Sequence, residues 1–282
     1  MRKSVNIWSF HGPWTLEEKI GMAKRAGFAG FEIDLSSSGP VALKSTASEL
    51  AEVRAHFDRA GVELTGLATG LYWGANPASN DPGVRANAAE ILRCQIAVAH
   101  ALGIDAVLVV PGSVGVDFVP GSEVVPYDTA WNRATEFIRD ALPLAEMARV
   151  QICIENVWNK FLLSPIEMKG FIAQFGSEWA GAYLDVGNAL AFGYPEHWIQ
   201  VLGPAIRRVH LKDYRRAVGT TDGFVDLLSG DVNWPGVMDA LRAAGYKGWL
   251  TAEMIPPSPF YRHAPEVLIF NTSRAMDAML SM

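Results

Sequence analysis

Four residues of the kinds that bind metal ions stand at the ends of short strand-like segments in the second half of the chain. They are Glu155 after residues 151–154, Asp185 after 181–184, His210 after 206–209 and Glu253 after 249–252. Three carboxylates that share a small volume repel one another unless a cation lies among them. Three oxygen ligands with one nitrogen suit Mn²⁺, and also accept Mg²⁺ or Co²⁺. The four residues therefore predict a divalent-metal site, provided that the fold brings their segments together.

A repeated local pattern indicates which elements carry these residues. Helical stretches end in a glycine, an apolar residue follows, and a short apolar strand comes next; the glycines are Gly27, Gly61, Gly103 and Gly245. Glycine adopts the left-handed conformation that closes a helix. The pattern predicts eight strands, near residues 4–10, 29–35, 62–69, 105–111, 150–156, 181–186, 206–212 and 248–254. Helices are predicted between them, and Thr15 with Glu18 forms a capping box at the first.

Alternating strands and helices predict an α/β fold with a parallel sheet. Eight such units in 282 residues favour a single-domain (β/α)8 TIM barrel over residues 1–282. An open doubly wound sheet is the alternative, but the glycine-rich phosphate-binding pattern typical of that fold does not follow the first strand. In a barrel the carboxyl ends of all strands meet at one mouth, so the four ligand-type residues are expected to converge there.

Each of these residues has a simpler interpretation when it is taken alone. An acid after a strand is often a helix cap or a surface ion-pair partner, and a lone histidine is often structural. Four in succession favour the metal site. On the second strand, Glu32 and Asp34 lack equivalent partners on the next two strands, so we expect them to support other residues. Lys212 points the same way as His210 by strand periodicity; it could bind substrate, form a Schiff base or pair with an acid.

Aromatic residues cluster on or just after the predicted strand ends. They are Trp8, Trp14, Tyr72, Trp73 and Trp158. Such rings either stack on the C–H face of a sugar or pack at the barrel rim. His11 follows the first strand and is a further candidate for substrate contact. The long segment 112–127 follows the fourth strand, where a lid and a simple surface loop are both consistent with its composition.

Composition narrows the function classes. The net charge of −6 and the pI of about 5.5 disfavour nucleic-acid binding. The two cysteines, Cys94 and Cys153, are expected to be buried free thiols, and their number disfavours a structural zinc site. No apolar run approaches the roughly 20 residues of a membrane helix, and residues 1–5 resemble no signal peptide. We therefore expect a soluble cytoplasmic protein that acts on a small molecule.

Five segments resemble the xylose isomerase-like barrel superfamily, in its sugar phosphate isomerase/epimerase branch. They are IENVWNKFLLSP (154–165), LDVGNAL (184–190), HLKDYRR (210–216), LLSGDVNWPGVMDAL (227–241) and GYKGWLTAEM (245–254). With a weaker match at the first strand, the resemblance spans essentially the whole chain. The most similar pattern is that of the ketose 3-epimerases, which act on free ketohexoses or pentulose phosphates.

This resemblance implies a Mn²⁺-type metal held by Glu155, Asp185, His210 and Glu253, with the two glutamates also acting as catalytic acid and base. It further implies a sugar or sugar phosphate substrate and a homo-oligomer, a dimer or tetramer. The substrate-binding arginine of the family matches Arg216. Substrate contacts are also expected from Asn188, Lys212, Trp158 and His11.

Two positions depart from the free-sugar epimerases. The residue three after the metal aspartate is histidine in those enzymes and Asn188 here, as in some phosphate-sugar members. The acid that follows the first metal glutamate by six residues is replaced by Phe161. These departures disfavour a free ketohexose as the substrate and do not disturb the metal ligands.

The expected chemistry is a metal-stabilised enediolate flanked by the two glutamates. Return of the proton to the same carbon gives epimerisation, return to the neighbouring carbon gives aldose–ketose isomerisation, and loss of a β-hydroxyl gives dehydration. The main alternative is therefore a lyase acting on a keto-sugar or keto-cyclitol. A phosphodiesterase for abasic DNA is disfavoured, because its three-metal site needs more than the six histidines present and a histidine at Asn188. A non-catalytic sugar-binding barrel would not need both glutamates.

Overall fold

The chain forms a closed barrel of eight parallel strands, seen in a computed structural model that describes residues 1–254 and 261–282. The barrel strands are β1 Arg2–Asn6, β2 Gly30–Asp34, β3 Glu63–Ala68, β4 Ala106–Val109, β5 Gln151–Glu155, β6 Ala180–Asp185, β7 Ile206–Leu211 and β10 Trp249–Ala252. They follow one another around the barrel in chain order, and β10 closes it by pairing with both β7 and β1. The predicted (β/α)8 barrel is confirmed.

Helices surround the barrel and connect successive strands. They are α1 Leu16–Ala26, α2 Ala47–Ala60, α3 Pro82–Leu102, α4 Tyr127–Ala148, α5 Pro165–Ala173, α6 Val186–Leu190, α7 Pro195–Leu202, α8 Trp234–Ala243 and α9 Pro265–Leu280. Within the two described ranges, none of these helices combines the length and the apolar character that crossing a membrane would require.

The local signals that predicted helix ends correspond to observed caps. At the start of α1, the Thr15 hydroxyl accepts from Glu18 N and the Glu18 carboxylate accepts from Thr15 N, which confirms the capping box. Gly27, Gly61 and Gly103 end α1, α2 and α3 with φ of 88°, 62° and 69°. Glycine adopts this left-handed conformation without the steric cost that a Cβ adds.

The first strand is shorter than its predicted span of 4–10. β1 ends at Asn6, and Ile7–Ser9 form a turn of 3₁₀ helix. The apolar residues after Asn6 are compatible with a strand as well as with a turn. The Asn6 side chain favours the turn, because it accepts a hydrogen bond from Trp8 N at 2.7 Å. The prediction was wrong for residues 7–10, and the turn places Trp8 at the barrel mouth.

A short antiparallel pair of strands, which the sequence did not predict, follows β7. It consists of β8 Asp213–Tyr214 and β9 Phe224–Val225. The buried Asp213 carboxylate holds the connection to α8 by accepting from Gly230 N, Val232 N and Trp234 Nε1 at 3.0–3.2 Å. This local structure brings Phe224 to the barrel mouth.

Cys153 is buried and Cys94 is half-buried, and both are free thiols. The expectation of free cysteines is confirmed, although Cys94 is less enclosed than predicted.

Candidate metal centre and active site

The four residues that the sequence singled out meet at the carboxyl end of the barrel. One ligand atom from each of Glu155, Asp185, His210 and Glu253 lies within 4.8 Å of all the others. All four residues are buried. His210 Nδ1 faces the carboxylates, at 2.8 Å from Glu253 Oε2, 3.3 Å from Glu155 Oε1 and 3.9 Å from Asp185 Oδ2.

A register shift between β6 and β7 aligns two of these residues. Ala182 pairs with Ile206, but Tyr183 pairs with Arg208, so one extra residue lies on β7 at this point. As a result Asp185 lies opposite His210; an unshifted ladder would place it opposite Val209. The bulge therefore brings the carboxylate and the imidazole side by side.

Burial and neighbouring charges affect the two glutamates differently. Burial raises the pKa of Glu155 to about 7, and the Glu253 charge adds to this effect. Burial would also raise the pKa of Glu253, but Lys212 and His210 outweigh it and lower the value to about 2. For Lys212, burial lowers the pKa, but Asp185 and Glu253 outweigh it and raise the pKa above its ordinary value. The protein thus compensates part of the carboxylate charge with its own cations.

Two oxygens show that this compensation is incomplete. Asp185 Oδ2 and Glu253 Oε2 are buried without a hydrogen bond of acceptable geometry. The Lys212 ammonium lies 3.0 and 2.6 Å from them, so it contributes charge but not well-directed hydrogen bonds. Buried carboxylate oxygens without partners are costly. Three oxygen donors and one imidazole nitrogen therefore fit a divalent cation at this position.

A second layer of contacts holds the imidazole of His210. Glu32 Oε2 lies 2.6 Å from His210 Nε2, and both side chains are fully buried. The same carboxylate accepts from Asn6 Nδ2 at 2.5 Å and from the Tyr183 hydroxyl. Gly66 leaves room for it, since a Cβ there would lie 2.7 Å from Glu32 Oε1. When the proton on His210 Nε2 points at Glu32, the lone pair of Nδ1 faces the cluster. The position of Glu32 thus agrees with the expectation that it supports another residue.

Replacing Glu32 by glutamine should weaken divalent-cation binding at the cluster by roughly 10–100-fold, because a neutral amide orients and polarises the His210 imidazole less strongly than the carboxylate does. The measurement is isothermal titration calorimetry of metal-stripped protein with Mn²⁺. Asp34→Asn is the matched control, since Asp34 lies on the same strand but accepts from Trp8 Nε1 and Ser36 Oγ. Equal affinities in both variants and in the unchanged protein would contradict the role of Glu32.

Asp185 is held by Asn188 and by Asn156, a residue that the sequence analysis missed. Asn156, directly after Glu155, donates from Nδ2 to Asp185 O and accepts from Asp185 N, both at 2.8 Å. Asp185 Oδ1 accepts from Asn188 N at 2.7 Å and so caps α6. The other oxygen, Oδ2, is left to face the cluster. An asparagine directly after a ligand glutamate was the only sequence signal for this arrangement.

A cavity of about 290 Å³ opens directly above the cluster. Its polar lining consists of Thr69, Glu155, Asn188, Lys212, Thr221 and Glu253. Its apolar walls include Trp8, Trp73, Leu108, Val110, Phe118, Val157, Trp158 and Phe224. The size suits one small molecule. Phe118 and Phe224 were not singled out from the sequence.

The other predicted substrate contacts are distributed around this cavity. Asn188, Lys212 and Trp158 line it. Arg216 lines a neighbouring cavity on the far side of Trp158, with its guanidinium 4.7 Å from the centre of the Tyr194 ring. His11 packs against Trp14 and, among the described residues, does not belong to the cavity lining. Its substrate contact stays a prediction without support from this geometry.

The segment after β4 reaches the mouth of the cavity. Phe118 packs edge-on against Trp73, with ring centres 5.1 Å apart. Val114 N donates to Asn159 O at 3.0 Å, and Asp117 pairs with Lys160 at 2.5 Å. These contacts join the segment to the loop after β5, so it forms part of the cavity wall.

Comparisons with known proteins agree with this architecture. Residues 20–270 match the family model described as "Xylose isomerase-like TIM barrel". A protein of Escherichia coli (strain K12) named "Putative L-ribulose-5-phosphate 3-epimerase SgbU" is 26% identical over 251 residues, which cover 84% of this chain and 82% of that protein. A crystal structure of D-psicose 3-epimerase in the presence of D-fructose has a TM-score of 0.82 at 17% identity and covers both chains completely. The IOLI protein with a bound zinc atom has a TM-score of 0.81 at 15% identity, over 100% of this chain and 98% of that one.

Proposed function

The chain belongs to the xylose isomerase-like TIM barrel family, and from this membership we propose that it is a divalent-metal-dependent ketose 3-epimerase. The observation that carries the proposal is the buried cluster itself. Three carboxylates and an imidazole converge within 4.8 Å at the base of a cavity sized for one small molecule. The names of the E. coli relative and of the D-psicose enzyme support a ketose as the substrate.

Glu155, Asp185, His210 and Glu253 would hold the metal ion. Mn²⁺ is the proposed ion because of the oxygen-rich ligand set, with Mg²⁺ or Co²⁺ as alternatives. The zinc atom in the IOLI protein supports a divalent ion in a barrel of this shape. The bound ion would supply Lewis-acid polarisation of the substrate carbonyl, which lowers the cost of removing the neighbouring proton.

The two glutamates would transfer protons on different sides of a bound ketose. Glu155 is the last residue of β5 and Glu253 directly follows β10, and these two strands are separated in the barrel by β6 and β7. Both line the cavity next to the Asp185–His210 pair. One glutamate would remove the proton alpha to the carbonyl, and the other would return a proton from the opposite face. That sequence inverts one carbon and leaves the mass of the sugar unchanged.

Neighbouring side chains would orient the substrate and exclude water. Lys212 lies between Asp185 and Glu253 and can donate to a substrate oxygen. Asn188 and Trp158 line the same cavity, and the indole offers a face for C–H stacking. The substrate contacts of Arg216 and His11 stay predictions, because neither residue belongs to the described lining of this cavity. The single domain over residues 1–282, the homo-oligomer and the cytoplasmic location stay predictions.

The decisive experiment is a screen of free and phosphorylated ketoses in D₂O with added Mn²⁺. We expect one deuterium to appear at C3 together with a stereoisomer of otherwise unchanged mass. Deuterium at a neighbouring carbon with an aldose product would indicate isomerisation. Loss of water would favour the keto-sugar or keto-cyclitol lyase. Absence of exchange with every ketose would contradict the proposal.

A further inference from the structure

We infer that the cavity is built for an unphosphorylated ketose, and best for one whose end remote from the carbonyl is a methyl group. This inference rests on the proposed function and specifies its substrate class. It depends on how polar and apolar groups are divided around the cavity. The charged groups lie at the base, and the upper walls are apolar.

The polar groups of the base serve the carbonyl end of the sugar. Glu155, Glu253 and Lys212 all stand at the metal cluster. A ketose whose C1–C3 portion lies between the glutamates must extend its remaining carbons toward the upper walls. There it meets the rings of Trp73 and Phe118 and the side chain of Val110. The remote end of the substrate therefore lies in apolar surroundings.

The described residues of the cavity lining offer no free cation for a phosphate. Among the described lining residues Lys212 is the only base, and its ammonium lies 3.0 Å from Asp185 and 2.6 Å from Glu253. The residues outside the described ranges, 255–260, have the sequence IPPSPF and contain no basic side chain. A phosphate monoester carries a charge of about −1.5 to −2 at neutral pH. Its transfer from water to aromatic walls without a partner is strongly unfavourable.

Two bases line a neighbouring cavity and make contacts there. Lys160 and Arg216 line the neighbouring cavity beyond Trp158. Lys160 pairs with Asp117 at 2.5 Å, and the Arg216 guanidinium lies over the Tyr194 ring. A phosphate would have to pass the Trp158 indole to reach them.

Hydroxyl groups at the remote end also find few partners. The Thr69 hydroxyl already donates to Leu35 O at 2.7 Å and accepts from Leu71 N. The Asn188 amide donates to Asn156 O at 3.0 Å. Among the described polar side-chain groups of the lining away from the cluster, the Thr221 hydroxyl, the Trp73 Nε1–H and the Asn188 Oδ1 are the few that remain without a hydrogen bond. A methyl group in this position gains burial without leaving a hydroxyl unsatisfied.

The test compares matched ketoses that differ only at C5: D- and L-ribulose, their 5-phosphates and their 5-deoxy analogues, each with Mn²⁺. We expect phosphorylation to lower kcat/KM for C3 epimerisation by about 100-fold or more, and the deoxy analogue to equal or exceed the parent. Binding is followed separately by the change in intrinsic tryptophan fluorescence, since three of the nine tryptophans, Trp8, Trp73 and Trp158, line the cavity. The dissociation constants are expected to follow the same order, with the 5-phosphates binding more weakly than ribulose and its deoxy analogue.

A charge added at the rim provides a second readout. Phe118 is 41% exposed, so Phe118→Arg places a guanidinium at the mouth without burying it. This variant should reduce the preference for ribulose over its 5-phosphate by roughly tenfold, whereas Phe118→Gln should not. Faster turnover or tighter binding of the 5-phosphates by the unchanged protein overturns the inference. If no ketose is epimerised, the proposed function fails, and the fluorescence ranking still decides whether the cavity rejects phosphate.

Discussion

Replacing Glu155 or Glu253 by glutamine is expected to lower kcat by about 10³-fold or more, even at saturating Mn²⁺. Glutamine keeps the shape of the side chain and one oxygen for ligation, but it cannot take up or release the substrate proton. General acid–base catalysis of this kind contributes roughly 10²–10⁴-fold to the rate. The measurement is steady-state epimerisation of the best ketose over a range of Mn²⁺ concentrations.

Two further variants separate proton transfer from metal binding. Asp185→Asn removes a ligand charge but no proton carrier, so raising the Mn²⁺ concentration should restore most of its kcat. Glu178→Gln makes the same chemical change at an exposed position before β6 and should leave kcat unaltered. Recovery of the Glu155 and Glu253 variants at high Mn²⁺ would show that both glutamates act only as ligands.

The two glutamate variants should also differ from each other. Because the residues reach the mouth from β5 and β10, each is expected to serve one epimer. Each variant should therefore exchange the C3 proton of only one epimer with D₂O, and the two variants should act on opposite epimers. Exchange of the same epimer by both variants would contradict the two-sided arrangement.

The strand-end positions of the four candidate metal ligands could be predicted from the sequence because they depend on local periodicity. A short buried strand that ends in an acid or histidine points to the mouth of a barrel wherever the barrel forms. Glu155, Asp185, His210 and Glu253 all follow this rule. The glycine caps and the capping box depend on equally local geometry, and the structure contains them.

Features that depend on contacts across the barrel could not be predicted in the same way. Glu32 reaches His210 through the barrel interior, over a separation of 178 residues. The bulge that aligns Asp185 with His210 has no marker in the local sequence. Phe118 and Phe224 reach the cavity through the folding of a long segment and a short hairpin, whereas Arg216 and His11 lie at its edge or beyond it. Spacing alone identifies the strand that carries a residue, but not how the following loop folds.

Complete removal of bound metal should abolish turnover and lower the melting temperature. A ligand that binds only the folded state at 100 times its dissociation constant stabilises it by about 2.7 kcal/mol. For a chain of this length, such a loss corresponds to roughly 5 °C. The physical reason is the buried cluster, where Asp185 Oδ2 and Glu253 Oε2 lack well-directed partners. The measurement is thermal unfolding and epimerisation after dialysis against EDTA, and again after Mn²⁺, Co²⁺ or Mg²⁺ is returned.

The Asp185→Asn variant supplies the internal control for this prediction. With one ligand charge removed, its melting temperature should change little between EDTA and a modest concentration of Mn²⁺, while the unchanged protein gains the full shift. A protein that keeps its activity and melting temperature after metal removal would contradict the proposal. In that case Lys212 and His210 would be the cations that balance the three carboxylates, since both lie within 3 Å of Glu253 Oε2. The cluster would then be a buried ion-pair network, which proteins also use without catalysis.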